Sequence, residues 1–100
     1  MDNKLKIITN MFGNNEIRSI WDKEKEDYYF SVIDVVAALT NSTIPRRYWM
    51  DLKNKLEEEG SQLYEKIVQL KMPAADGKQR ITDILDTEGI FRLIESVSDW

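Results

Sequence analysis

Cysteine and histidine are both absent from this chain of 100 residues. Without cysteine the chain has neither a disulfide framework nor a thiolate nucleophile. Without histidine it lacks the commonest general base and the commonest metal ligand, so a serine or threonine nucleophile would have no imidazole to activate it. We therefore predict that the protein is not an enzyme and that it needs no metal ion or other cofactor.

Glycine is sparse, and long apolar runs are missing. The glycines are too scattered to form a phosphate-binding loop; they are Gly13, Gly60, Gly77 and Gly89. No apolar run approaches the roughly 20 residues that cross a bilayer, and the short apolar patch after Met1–Lys4 is not typical of a signal peptide. We expect a cytoplasmic protein that has no membrane partner.

The composition that remains is typical of one soluble domain. Hydrophobic residues make up 42% of the chain and charged residues 32%, a balance that suits a folded core rather than a disordered chain. Residues 1–15 are polar and rich in asparagine, so we predict a flexible segment or an edge strand there. Residues 16–100 are predicted to form the domain.

Alternating and helical patterns predict an α+β fold in the order ββαα-ββα, with two β-hairpins and about three helices. Ser31 is predicted to cap the first helix, with Asp34 as its capping-box partner, and Asp86 or Thr87 to cap the last helix. The predicted elements are strands at 16–22 and 28–32, helices at 31–40 and 45–59, strands at 67–72 and 79–85, and a helix at 87–97.

The helix that starts at Pro45 has clear ends and unusual charges. Proline suits its first turn, Thr43 is a candidate N-cap, and Gly60 is a candidate C′ residue with positive φ. Two arginines lie at the positive end of the helix dipole and three glutamates at the negative end, which is unfavourable by about 0.3–1 kcal/mol for each exposed charge. Either binding or neutralisation elsewhere in the fold would explain this arrangement.

Helical spacing also predicts which side chains share the core. The aromatic residues of the first hairpin, Trp21, Tyr28 and Phe30, are expected to pack inside. The predicted core residues are Val36, Leu39, Trp49, Leu52, Leu56, Ile90 and Ile94.

The net charge is −4, yet basic residues form two separate islands. Residues 41–56 contain four basic and one acidic side chain, and residues 66–80 contain the same numbers, so each island has a net charge of +3. A fold that brings both islands to one face would present that face to a polyanion. The predicted DNA-binding residues are Arg46, Arg47, Tyr48, Lys53, Lys55, Lys71, Lys78 and Arg80.

An acidic cluster leaves a second interpretation open, in which the chain binds a cation or carries out acid/base chemistry. Asp83, Asp86 and Glu88 lie close in sequence and would suit a cation or an acid/base pair if they converged. Helix capping and solvation explain the same residues without a site.

The ordered motifs resemble the N-terminal domain of the BRO family (Bro-N), which is found in phage antirepressors and large DNA viruses. The resemblance covers roughly residues 16–97. Its motifs are Tyr29-Phe30-Ser31, Asp34-Val35, Arg47-Tyr48-Trp49-Met50-Asp51-Leu52-Lys53, Leu56, Glu59-Gly60, Leu70-Lys71-Met72-Pro73-Ala74-Ala75-Asp76-Gly77-Lys78, Thr82-Asp83, Asp86-Thr87-Glu88-Gly89-Ile90 and Arg92-Leu93-Ile94.

This resemblance implies a small α+β domain that binds double-stranded DNA in an antirepressor-like regulator of a prophage, usually followed by a variable C-terminal domain. The chain would then be a fragment or a shortened relative, and a homodimer is compatible with it. Two alternatives stay open. One is a protein-interaction module that binds a repressor, and the other is a metal-dependent nuclease that uses the acidic cluster.

Overall fold

The computed structural model describes residues 5–12 and 15–98, with side chains from residue 16 onward. The predicted α+β class is confirmed, and all seven predicted elements are present. A strand before the first predicted hairpin lies at the sheet edge and fits the edge-strand alternative for residues 1–15, whereas a short helix at the predicted connector is additional. In chain order the elements are β1 (Leu5–Phe12), β2 (Asn15–Asp22), β3 (Asp27–Ser31), α1 (Val32–Thr40), α2 (Pro45–Glu58), α3 (Gln62–Lys66), β4 (Val68–Pro73), β5 (Gln79–Asp86) and α4 (Thr87–Ser98).

The five strands form one antiparallel sheet in the order β1-β2-β3-β5-β4. The two predicted hairpins are joined through β3 and β5, where Phe30 lies opposite Leu85. One face of the sheet carries the helices. The other face has its own small cluster of buried side chains, which contains Ile20, Tyr29, Met72 and Ile84.

The core on the helix side contains most of the predicted residues. Val36, Trp49, Leu52 and Leu56 are buried in it, and Leu39 and Ile90 pack against it half-buried. The prediction was wrong for Ile94, which is half-buried outside this cluster. Leu93, which the helical spacing also predicts on the inner face, is fully buried, and the buried residues of α4 are Gly89 and Leu93.

The aromatic residues of β2 and β3 form a row on the helix side of the sheet. The ring centroids of Trp21 and Tyr28 are 4.8 Å apart, and those of Tyr28 and Phe30 are 6.0 Å apart. Phe30 packs against the core, and Trp21 is half-buried. Core packing was a wrong prediction for Tyr28, which is 36% exposed because it lies beside the turn of the hairpin.

The sheet divides beyond the end of β3. Because β3 stops at Ser31, residues 15–18 of β2 and 79–83 of β5 extend past it without pairing to it, and α1 begins in this space. Arg18 bridges the gap: its guanidinium donates to both carboxylate oxygens of Asp34 and, at 2.8 Å, to the carbonyl oxygen of Pro73.

The capping predictions are mostly confirmed. Ser31 accepts a hydrogen bond from the backbone N–H of Asp34, although the Asp34 carboxylate binds Arg18 rather than completing a capping box. Gly60 ends α2 with φ of +66°. Thr43 was a wrong prediction, because Ile44 occupies the N-cap of α2.

The final helix is capped from β5. Asp86 accepts a hydrogen bond from the backbone N–H of Gly89 at 2.8 Å, as one of the two predicted caps. No helix in residues 5–12 and 15–98 is long and apolar enough to cross a membrane.

Candidate nucleic-acid interface

An open groove of about 960 Å³ separates α1 and α2 from the β4–β5 hairpin. The N-terminal turn of α2 and its groove-facing side form one wall, and the turn and first half of β5 form the other. Three of the predicted DNA-binding residues line this groove: Arg46 and Lys53 on α2, and Arg80 on β5. The fold therefore brings members of the two basic islands to opposite walls of one groove.

The geometry of α2 determines which of its basic residues face the groove. Successive residues turn by about 100° around a helix. Arg46, Met50 and Lys53 lie on the groove side, while Arg47 points about 100° away from Arg46, toward solvent. Lys55 lies on the opposite flank, about 160° from Lys53. The structure does not bring Lys55 to the groove.

The ends of α2 keep the reversed charges. Arg46 and Arg47 are exposed at its start, and Glu57, Glu58 and Glu59 are exposed at its end. Among the residues whose side chains are described, none of these five forms an ion pair. Neutralisation within this part of the fold therefore does not explain the arrangement.

A tight turn shapes the hairpin wall. The backbone N–H of Ala74 donates to the carbonyl of Lys78, and that of Gly77 donates to the carbonyl of Ala74. Gly77 has φ of +83°, which glycine adopts readily. Lys78 lies exposed in this turn, and Lys71 lies exposed on β4 opposite Ile81 of the groove wall. Both lysines are adjacent to groove-lining residues.

Lys53 is held by a network at the base of the groove. Its ammonium group lies 2.9 Å from the Asp83 carboxylate, which also accepts hydrogen bonds from the Trp49 indole at 2.8 Å and the Gln69 amide at 2.9 Å. Burial raises the pKa of Asp83, but the hydrogen bonds from Lys53, Trp49 and Gln69 outweigh burial and hold that pKa below its usual value. The Asp83 carboxylate therefore remains ionised at neutral pH.

Arg80 is also paired, but at the surface. Its guanidinium binds the Asp76 carboxylate, and this hydrogen bond is the main reason that the pKa of Asp76 is lowered. Four other predicted cations form no ion pair among the described side chains and lie in or beside the groove. We call them the rim cations: Arg46, Arg47, Lys71 and Lys78.

The groove itself is not strongly charged. Its four basic lining residues, Arg18, Arg46, Lys53 and Arg80, are matched by four acidic ones, which are Glu16, Asp34, Glu57 and Asp83. Met50 and Ile81 line it from opposite walls and are 56% and 63% exposed. The positive character lies with the rim cations rather than with the base of the groove.

Tyr48 was predicted to contact DNA, and its position favours a packing role. The residue is half-buried and packs against the helix-side core. Its neighbour Trp49 is buried.

The three carboxylates that suggested a metal site belong to two different ion-pair groups. Asp83 belongs to the Lys53 network, whereas Asp86 and Glu88 lie 3.6 and 2.9 Å from the Lys66 ammonium group. The hydrogen bond with Glu88 raises the pKa of Lys66 and lowers that of Glu88. No group of three acidic side chains in the described part of the chain could hold a metal ion.

Sequence reasoning missed three residues of the groove. Arg18 fixes the start of α1 to the end of β4, and Met50 and Ile81 add exposed apolar surface. Only the exposed apolar residues had a signal: Met50 stands between basic residues on α2, and Ile81 alternates with the buried positions of β5.

Comparisons with protein-family models, with curated proteins and with solved structures found no match to this chain. The resemblance to the Bro-N domain therefore stays a prediction, and the features that bear on function are the groove and the rim cations.

Proposed function

We propose that this chain is a DNA-binding domain of an antirepressor-like transcriptional regulator, and that it binds duplex DNA across the groove between α2 and the β4–β5 hairpin. The observation that supports this proposal is the position of the rim cations. Members of two islands that are separate in sequence lie on opposite walls of one groove, and four of the islands' cations form no ion pair among the described side chains. Two of the motifs that resemble the Bro-N domain, residues 47–53 and residues 70–78, lie on α2 and on β4 with its turn.

The rim cations suit contacts to the DNA backbone. Lysine and arginine bind phosphate oxygens without reading sequence, and each contact releases counterions. Because the whole chain carries a net charge of −4, the attraction has to be local. We expect modest affinity for random duplex DNA that falls steeply with salt.

The variant with both Arg46→Ala and Arg47→Ala tests this proposal. An electrophoretic shift with random and genomic duplexes at two salt concentrations should show at least tenfold weaker binding, which is about 1.4 kcal/mol. The slope of the logarithm of the binding constant against the logarithm of the salt concentration should decrease in magnitude by about one for each phosphate contact removed. Stability should be equal or slightly higher, because two unfavourable interactions with the helix dipole disappear.

The matched control carries Lys23→Ala and Arg92→Ala, which remove the same charge from exposed positions on the hairpin turn and on α4. It should bind DNA within about twofold of the parent. If the double arginine variant binds as well as the parent and unfolds more easily, the arginines are structural and the proposal fails in this form.

A protein-interaction module is the second candidate, because Met50 and Ile81 expose apolar surface on both walls of a groove whose lining charges are balanced. Such a surface suits an apolar segment of a protein partner, for which a repressor is the expected class. This candidate predicts no shift of random or genomic DNA even at low salt, together with saturable binding of the cognate repressor.

A further inference from the structure

Two of the predicted DNA-binding cations in the groove, Lys53 and Arg80, are paired with carboxylates, and the two pairs differ in how easily they can be broken. The Lys53–Asp83 pair is largely buried, with 27% and 13% of the respective side chains exposed, whereas the values for Arg80 and Asp76 are 52% and 43%. Water therefore reaches both partners of the second pair.

Breaking the Lys53–Asp83 pair would be energetically unfavourable. Asp83 accepts from Lys53, Trp49 and Gln69, so a Lys53 side chain that turned to DNA would leave a largely buried carboxylate without its cationic partner. The Lys53 ammonium group is therefore a fixed part of the groove.

Breaking the Arg80–Asp76 pair leaves no buried charge without a partner. Exposed ion pairs contribute little to stability because water solvates each partner when they separate. Asp76 also keeps a structural hydrogen bond without Arg80, since its Oδ1 atom accepts from the backbone N–H of Lys78 at 3.0 Å. The turn can hold its shape while Arg80 moves.

We propose that Asp76 regulates the affinity of the DNA site by holding Arg80 in the free protein and releasing it to a DNA phosphate in the complex. This inference rests on the proposed function. Asp76 competes with the phosphate for one guanidinium group, so a polyanion that contacts Arg80 binds less tightly than it would if Arg80 were unpaired in the free protein. Lys53 takes no part in this exchange.

The Asp76→Asn variant tests the exchange. Its amide oxygen retains an acceptor for the Lys78 N–H but loses the charge that holds Arg80. With a random-sequence duplex at low salt, binding should become about two- to fivefold tighter, the range expected when an exposed ion pair no longer competes. The control Glu95→Gln removes the same charge from an exposed position on α4 and should leave binding unchanged.

A double-mutant cycle separates release of Arg80 from a general change in charge. Arg80→Ala should weaken binding of the parent, and adding Asp76→Asn to Arg80→Ala should restore nothing. If Asp76→Asn tightens binding equally with and without Arg80, the effect is general repulsion and the inference is wrong. If it leaves binding unchanged while the parent binds DNA, the inference fails and the proposed function stands. If neither the parent nor any variant shifts DNA, both fail.

Discussion

Replacing Asp83 by asparagine should destabilise the protein, because this carboxylate joins α2 to the sheet. The substitution keeps the shape of the side chain, removes its charge and leaves one acceptor oxygen, which can take the place of the Oδ2 atom that Trp49 and Lys53 contact. Trp49 and Lys53 come from α2 and Gln69 from β4, and all three donate to this one group on β5. The effect of the change therefore measures how strongly the base of the groove holds its two walls together.

The magnitude follows from the kind of hydrogen bond that is lost. Bonds to a charged group contribute about 1.5–3 kcal/mol and neutral bonds about 0.5–1.5 kcal/mol, a loss of about 1 kcal/mol for each bond. The bond from exposed Gln69 should count for little, whereas those from Trp49 and Lys53 should count in full. We expect a loss of about 2 kcal/mol in the free energy of unfolding.

Urea unfolding followed by circular dichroism checks this value, with Asp51→Asn as the control. Asp51 is an exposed carboxylate in the middle of α2 that has no ion pair among the described side chains. Its substitution should cost less than about 0.5 kcal/mol. An Asp83→Asn loss no larger than that of the control would refute the reasoning.

The pH dependence gives a second check, and its sign is fixed by the lowered pKa of Asp83. A carboxyl group whose pKa is lower in the folded state stabilises the protein above its unfolded pKa, which is about 3.9 for aspartate. That stabilisation is lost as the pH falls through the lower folded pKa. The difference between the parent and Asp83→Asn should therefore be constant near neutral pH and shrink below about pH 4.

Two further substitutions test the core by urea unfolding. Leu52→Ala should lower the free energy of unfolding by about 2–5 kcal/mol, because the residue is 2% exposed. Met50→Ala, on the same helix but 56% exposed, should lower it by less than about 1 kcal/mol. Equal losses would contradict the assignment of Leu52 to the buried face of α2. Gly89→Ala should cost about 1–3 kcal/mol, because the new Cβ would lie 2.9 Å from Leu85 Cδ2 and 3.1 Å from Asp86 Oδ1. A neutral result there would mean that α4 can shift away from β5.

The sequence was sufficient to predict most of the elements because their signals are local. The alternation in β3 and β4, the proline and glycine that bracket α2, and the Asp-Gly turn at 76–77 each depend on neighbouring residues. Ile94 shows the limit of this reasoning. Its spacing fits an inner position on α4, but the exact rotation of that helix depends on how closely Gly89 approaches β5.

The arrangement of the groove could be predicted only in part, because it depends on contacts between distant segments. Clusters of charge predicted Arg46 and Arg80 as site residues, and the fold brings both to one groove. No local pattern indicates that Asp83 neutralises Lys53 or that Arg18 binds Asp34 and Pro73. These pairs join residues separated by 16 to 55 positions, so they follow from strand order rather than from spacing.

The side-chain charges of α2 form an electrostatic dipole, with the arginines at the start of the helix and the glutamates at its end. Arg46 and Glu58 are separated by about 18 Å along the helix axis, roughly twice the Debye length of about 8 Å at physiological ionic strength. A polyanion close to one end of α2 is therefore largely screened from the charges at the other end. During a diffusional encounter, the glutamate end is repelled while the arginine end is attracted, and the resulting torque turns the start of α2 and the hairpin turn toward the polyanion before contact. Lowering the salt concentration lengthens the range of this torque, but it also extends the repulsion from the net charge of −4, so the association rate should pass through a maximum at intermediate ionic strength.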